Sequence, residues 1–180
     1  LLLAREIVSD EPANPSAWGD LANALYEADR LEEGLRVAED ALARLEFSKD
    51  PGGYHSRFDW LLRWRWRILG ALGRHEEALA LALDRERSCP QPSGWLCDVH
   101  NSLVALDQPE RIIRHAVERK FDYGQALWNA GVVCAYAGKY EFAAQYIRRV
   151  MPFARQRSYL LASVMAYCEC LLQLGEFEET

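Results

Sequence analysis

The sequence predicts an all-α fold built from stacked antiparallel helix pairs, and three observations carry that prediction. A pattern of helix, turn with Gly or Asp, and second helix rich in small residues returns about every 34 to 37 residues. Such a period marks helical hairpins that cannot bury their apolar faces alone and stack to do so. Apolar residues at i, i+3, i+4 and i+7 run through nearly every segment, which is the spacing of one helical face. Alternating apolar and polar runs bounded by hairpin turns are missing, which argues against sheet.

In order along the chain, Leu1 to Ser9, followed by Pro12 and Pro15, reads as the second helix of a hairpin over residues 1–12. Trp18-x2-Leu21-Ala22-x2-Leu25 opens repeat 1, residues 13–48. Ser48-Lys49-Asp50-Pro51-Gly52-Gly53 is a breaker cluster and predicts a longer loop over 49–58. Repeat 2, residues 59–92, carries Gly73-x4-Ala78-x11-Pro90. Repeat 3, residues 93–123, is the least regular: Pro109 is placed to open its second helix at the first turn, and that helix is expected to end near Lys120. Repeat 4, residues 124–157, shows the pattern most plainly in Ala130-Gly131-x2-Cys134-x3-Gly138-x-Tyr140-x2-Ala143. Repeat 5, residues 158–180, stops at Glu176 to Thr180 with its second helix barely begun, so a fragment of a longer array is expected.

The inter-helix turns are marked by Asp29, Gly73, Asp107, Gly138 and Gly175, which lie 44, 34, 31 and 37 residues apart. The long first interval contains the breaker cluster. Ala22, Ala78, Gly131 and Ala143 are expected where helices approach closely, with Trp18, Leu25, Tyr140 and Phe177 filling the gaps between them.

Composition narrows the function classes. Half of the 180 residues are hydrophobic and 27% are charged, which describes a globular chain with ample core. The longest stretch without a charge, Tyr123 to Gly138, is 16 residues, short of the roughly 20 a bilayer span needs, so no membrane association is expected. Leu1-Leu2-Leu3 has no basic flank before it and is followed at once by Arg5 and Glu6, unlike a secretory signal; a cytoplasmic location is the expectation. A net charge of −6 argues against a nucleic-acid partner. Against that, Arg57, Arg63, Arg65, Arg67 and Arg74 face one acid, Asp59, before His75-Glu76-Glu77.

The spacing of Trp18, Leu21, Ala22, Leu25, Gly34, Ala38 and Ala41, with Pro-bounded repeat ends, resembles the tetratricopeptide repeat family over nearly the whole chain. The resemblance implies an α-solenoid, a right-handed superhelix of these helix pairs, acting in protein–protein interaction. Departures are Gly34 where the family usually has Ala, Asp29 and Asp107 where Gly is common, and Arg65-Trp66 in place of a Leu-small pair.

In such an array the first helices line the inner face. One helical face, marked relative to each turn, carries Asn23 and Tyr26, then Trp60, Arg63 and Arg67, then Asn101, then Trp128 and Asn129, then Met165 and Glu169. Asparagine can hydrogen-bond an extended backbone with donor and acceptor, and arginine can hold a carboxylate bidentately. The expected partner is therefore a protein or peptide, with an acidic or C-terminal segment as the finer expectation. Some family members grip a C-terminal carboxylate with a Lys/Asn/Arg clamp. Asn23, Arg63 and Arg67 compare with it, but Gly19 stands where its first-repeat Lys is expected.

On a helix Trp60, Arg63, Trp64 and Arg67 share one side and Leu62, Trp66 and Leu69 another. The first set reads as a binding hot spot; the alternative packs Trp64 on a neighbour and pairs the arginines with Asp59, Glu76 or Glu77. Five cysteines (89, 97, 134, 168 and 170) suit buried thiols better than disulfides. Cys97-x2-His100 and Cys168-x-Cys170 lack the second pair a zinc knuckle needs, so core cysteines, a surface histidine and no metal are expected. No nucleophile motif, phosphate-cradling loop or HExxH pair occurs, so neither a cofactor nor catalysis is expected, and the acids read as solvated residues of helix starts and outer faces. A regulator clasping one folded partner, or a substrate-positioning piece of a multidomain enzyme, stands as the alternative function.

Overall fold

The computed structural model describes residues 1–45, 58–88, 93–120, 122–153 and 157–175. Among them it contains ten α-helices, one short 3-10 helix and no strand. No helix among them is long and apolar enough to cross a membrane. The breaker cluster after Glu46, and with it Arg57, Cys89, Pro90 and Phe177, lies outside the described residues.

The chain divides into two compact units, Leu1–Asp98 and Val99–Thr180. The first holds α1 (Leu2–Asp10), α2 (Pro15–Glu27), α3 (Leu31–Arg44), α4 (Asp59–Ala71), α5 (His75–Ser88) and the start of α6 (Ser93–Ala105). The second holds the rest of α6, then α7 (Glu110–Glu118), α8 (Tyr123–Tyr136), α9 (Tyr140–Val150), the 3-10 helix Met151–Phe153 and α10 (Arg157–Leu174).

Local chemistry sets the helix ends. Asn14 caps α2, its side chain accepting from the Ser16 N–H at 3.0 Å, with Pro15 in the first turn where a missing N–H costs nothing. The Asp122 carboxylate caps α8 by accepting from the N–H groups of Gly124 at 2.9 Å and Gln125 at 3.2 Å. The five turn markers all adopt positive φ: Asp29 56°, Gly73 73°, Asp107 59°, Gly138 71° and Gly175 70°. At Asp29 the N–H donates to the Tyr26 carbonyl at 3.0 Å and the next N–H, of Arg30, to Leu25 at 2.9 Å. Gly73, Asp107 and Gly138 repeat this double bond. It is the Schellman closure, which satisfies orphan carbonyls and needs a left-handed residue. Lys120, at φ 61°, follows α7 in the same conformation and carries no sequence signal for it.

In the first unit α2 packs on α1, α3 and α4, and α4 on α3 and α5. One apolar cluster joins Val8, Ala17, Leu21 and Leu25 with Ala4, Trp18 and Val37 at its margin. A second joins Ala22, Leu35, Trp64, Ile68, Leu69 and Ala78, with Tyr26 and Trp66 partly buried against it. Each fully buried leucine or isoleucine contributes about 1.5–3 kcal/mol of transfer free energy. In the second unit α8 packs on α7, α9 and α10 around the fully buried Ala126, Leu127, Ala130, Ala143 and Ile147. All four residues expected at close helix approaches are buried. A Cβ on Gly131 would stand 2.6 Å from Ile147 Cγ1.

Two expectations about polar residues are corrected. Cys97 is exposed and His100 is 1% exposed, the reverse of a core cysteine beside a surface histidine. α6 buries Trp95, Leu96, Val99, His100, Leu103 and Val104, a wide arc that leaves Cys97, Asn101 and Ala105 outside. Acids are not confined to solvated positions either, because Glu86 and Asp98 are buried.

Candidate partner-binding surfaces

α4 buries Leu61, Leu62, Trp64, Ile68 and Leu69 because α2, α3 and α5 enclose it on several sides. Trp60 and Arg67 stay exposed on what remains, with Arg63 half-buried between them. Trp64 therefore belongs to the core and not to the binding stripe, which corrects its grouping with Trp60 and Arg67. Its helical phase lies at the edge of the stripe, and the wide apolar arc claims it.

Trp60 is fixed in place although 42% exposed. Its Nε1–H donates to Asp20 Oδ1 at 2.9 Å, and its ring meets Trp64 edge-on, centroids 5.6 Å apart at 89°. Below it lies Gly19, whose missing Cβ would stand 2.4 Å from Trp60 Cδ1. The position compared with a clamp lysine is thus covered by the indole of the next first helix, and a larger residue there would have to push that indole aside. The Tyr26 ring lies tilted against Trp64, centroids 5.5 Å apart, and Asn23 is half-buried one turn away on α2. The Arg67 guanidinium sits 4.8 Å from the Trp64 ring centroid, a cation–π contact on an exposed side chain.

Arg63 is engaged internally. Its Nε donates to Asp59 Oδ2 at 3.0 Å and its Nη1 to Asp98 Oδ2 at 2.9 Å, while its guanidinium lies 4.9 Å from the Trp95 ring centroid. Trp95 Nε1–H donates in turn to Asp59 Oδ1 at 2.8 Å. This closed set corrects the expectation that Arg63 is available to a partner's carboxylate, and realises the alternative pairing with Asp59. Burial pushes the Asp98 carboxyl up to about 6, with Arg63 and Arg67 pulling it down and Asp59 adding to the rise.

Sequence reading missed Asp20 and the buried Trp95 and Asp98 as the residues that hold this surface in place. A signal existed. The bonds Trp60–Asp20, Trp95–Asp59 and Arg63–Asp98 join residues 40, 36 and 35 apart, close to one repeat, on first helices.

In the second unit Asn101 is exposed on α6. Asn129 accepts from Gln125 Nε2 at 2.9 Å, which orients its amide within α8. Trp128, half-buried, lines a cleft of about 560 Å³ together with Val132, Ala135, Tyr136, Tyr140, Ile147 and, from α10, Ala166, Glu169 and Cys170. Trp128 and Glu169, chosen by helical phase, are brought together there. Tyr136 carried no signal as a site residue, and Tyr140 was expected only to fill space. Met165 is exposed and does not line the cleft. Among the described residues no group of three or more His, Cys, Asp or Glu could hold a metal ion.

This is a helical repeat protein with the tetratricopeptide-repeat fold. YrrB, a TPR protein with an unusual peptide-binding site, is 16% identical, with a TM-score of 0.52 over 97% of this chain and 85% of its own. A putative kinesin light chain of nearly identical TPR-like repeats from Podosopora anserina is 14% identical, with a TM-score of 0.54 over 92% and 89%. A tetratricopeptide repeat protein from Parabacteroides merdae ATCC 43184 is 15% identical, with a TM-score of 0.54 over 96% and 65%. No family profile and no curated protein matches the sequence.

Proposed function

We propose that this chain is a protein-interaction module that binds a peptide or protein segment, and that the α2–α4 face of the first unit is its principal contact. The observation that carries the reading is Trp60: a large indole, exposed, yet held by Asp20 and Trp64. An aromatic anchor ordered before binding loses little rotamer freedom when a partner covers it. Arg67 is the guanidinium assigned to a partner's carboxylate, acidic side chain or C-terminus, since Arg63 is engaged with Asp59 and Asp98. Within that unit Asn23 is assigned to partner backbone, with Tyr26 supplying apolar area. The peptide-binding site of YrrB, which shares the fold, supports the class of ligand.

The test selects ligands from a displayed random-peptide library on the immobilised chain and measures the winners on variants by calorimetry. Trp60→Ala or Arg67→Ala is expected to weaken them by roughly 2 kcal/mol, about 30-fold, with helicity unchanged, while Glu39→Ala and Arg148→Ala leave them alone. Peptides that bind both groove variants at full affinity would place the contact elsewhere and sink the reading.

A further inference from the structure

The cleft of the second unit has a composition unlike the α2–α4 face. α8 contributes Trp128, Val132, Ala135 and Tyr136, a stripe at i, i+4, i+7 and i+8. α9 contributes Tyr140 and Ile147, and α10 contributes Ala166, Glu169 and Cys170. The buried Ile147 and Cys170 close its bottom, and Tyr136, 90% exposed, stands at its rim. Three of the nine lining residues are aromatic and, among the described residues, one is charged: Glu169. Glu169 is exposed, and no ion pair or hydrogen bond of it occurs among the described residues. Burial, and then the Glu169 carboxylate, pushes the Cys170 thiol up, so the bottom stays neutral.

Aromatic faces attract a cation through their quadrupole, and a carboxylate beside them adds a direct charge. The same walls carry no cationic side chain that would favour an anion. We propose that this cleft docks a basic segment of a partner protein, taking an arginine or lysine side chain against Trp128, Tyr136 and Tyr140 with its cationic head at Glu169. A volume of about 560 Å³ lies within the range of ligand sites and leaves room for the backbone on either side of one long side chain. The inference rests on the reading of the chain as a protein-binding module. It uses the other unit and the opposite charge, so the substitutions that test the two do not overlap.

The experiment is an amide-shift NMR titration of the whole chain with a blocked tripeptide of arginine between two leucines. Its norleucine counterpart and free methylguanidinium serve as the other probes. The arginine peptide is expected to shift amides of α8, α9 and α10 at millimolar concentration, and the norleucine peptide to bind about three- to tenfold more weakly. Glu169→Gln, at an exposed position, is expected to bring the arginine peptide to the norleucine level. Tyr136→Ala is expected to weaken it by a similar factor, and Trp60→Ala and Arg67→Ala to leave it unchanged. Absent shifts, equal binding of the norleucine peptide, or indifference to Glu169→Gln would overturn the proposal. Methylguanidinium binding as tightly as the peptide would overturn it too, by making the cleft a site for small cations.

Discussion

Gly131 and Gly34 both interrupt helices, yet the space around them differs in kind. A Cβ on Gly131 meets Ile147 Cγ1 at 2.6 Å, a branch close to the backbone of a stiff β-branched side chain and not its flexible end, so relief is costly. A Cβ on Gly34 meets Ile68 Cδ1, the mobile end of a side chain, at 3.1 Å and the Ala22 carbonyl at an ordinary 3.5 Å. Gly131→Ala is therefore expected to destabilise despite its better helix propensity, and Gly131→Leu by about 1–3 kcal/mol or more. Gly34→Ala is expected to stabilise by up to about 1 kcal/mol. Urea midpoints read both, and a Gly131→Ala protein as stable as the parent would mean that α8 and α9 are not in this contact. Asp98 supplies a pH effect of definite sign. Its folded carboxyl is raised from 3.8 to about 6, so between those values the folded state holds a proton that the unfolded chain has lost. Stability from this group is full below that window and falls as pH rises through about 6, by about 3 kcal/mol. Asp98→Asn removes the loss. Denaturation of both proteins at pH 4.5 and 7 should show the parent losing more on the upward step, and equal losses would refute the assignment.

At the scale of elements, the turns were legible because the backbone demands something few residues supply. A left-handed position after a helix selects Gly and, next, Asn or Asp, and Asp29, Gly73, Asp107, Gly138 and Gly175 all occupy one. Lys120 does so without a signal, because its side chain states no preference for that conformation. Since aspartate tolerates positive φ less well than glycine, Asp29→Gly is expected to stabilise by about 0.5–1 kcal/mol, and Gly73→Ala to destabilise by about as much; thermal melts rank them. An Asp29→Gly protein of lower stability would show that the aspartate does more than fill the turn. The stripe of α4 was legible only in part. Period alone selects Trp60, Arg63 and Arg67, and adds Trp64 because the indole at the next turn lies near the same phase. Whether that indole is groove or core depends on how many neighbours enclose the helix, a tertiary fact that a single helix does not encode. The pairing of Arg63 was hidden for a similar reason: Asp98 lies one repeat away, and only the stacking of α4 with α6 brings it within 2.9 Å.

For the whole molecule the question is what the arginine-rich segment does within an acidic chain. Read as a string, Arg57 to Arg74 is a basic patch interleaved with tryptophan, the composition of a single-strand nucleic-acid platform. In the folded chain Arg63 is neutralised by Asp59 and Asp98, Arg65 by Glu39 at 3.1 Å, and Arg74 by Glu77 at 2.5 Å. Arg67 lies on the Trp64 ring, and Arg57 is outside the described residues. Affinity for a phosphate backbone comes from counterions released by cations free to replace them. Guanidiniums already matched with carboxylates release few, because their own partners must be displaced first, and a net charge of −6 opposes the approach. Fluorescence anisotropy with a single-stranded oligonucleotide of about 20 bases, at about 50 mM salt where such contacts are strongest, is therefore expected to show no binding at micromolar protein. Saturable binding that falls steeply with salt and disappears in Arg67→Ala would show that these ion pairs open to phosphate, and that the surface built around Trp60 reads a polyanion and not a protein.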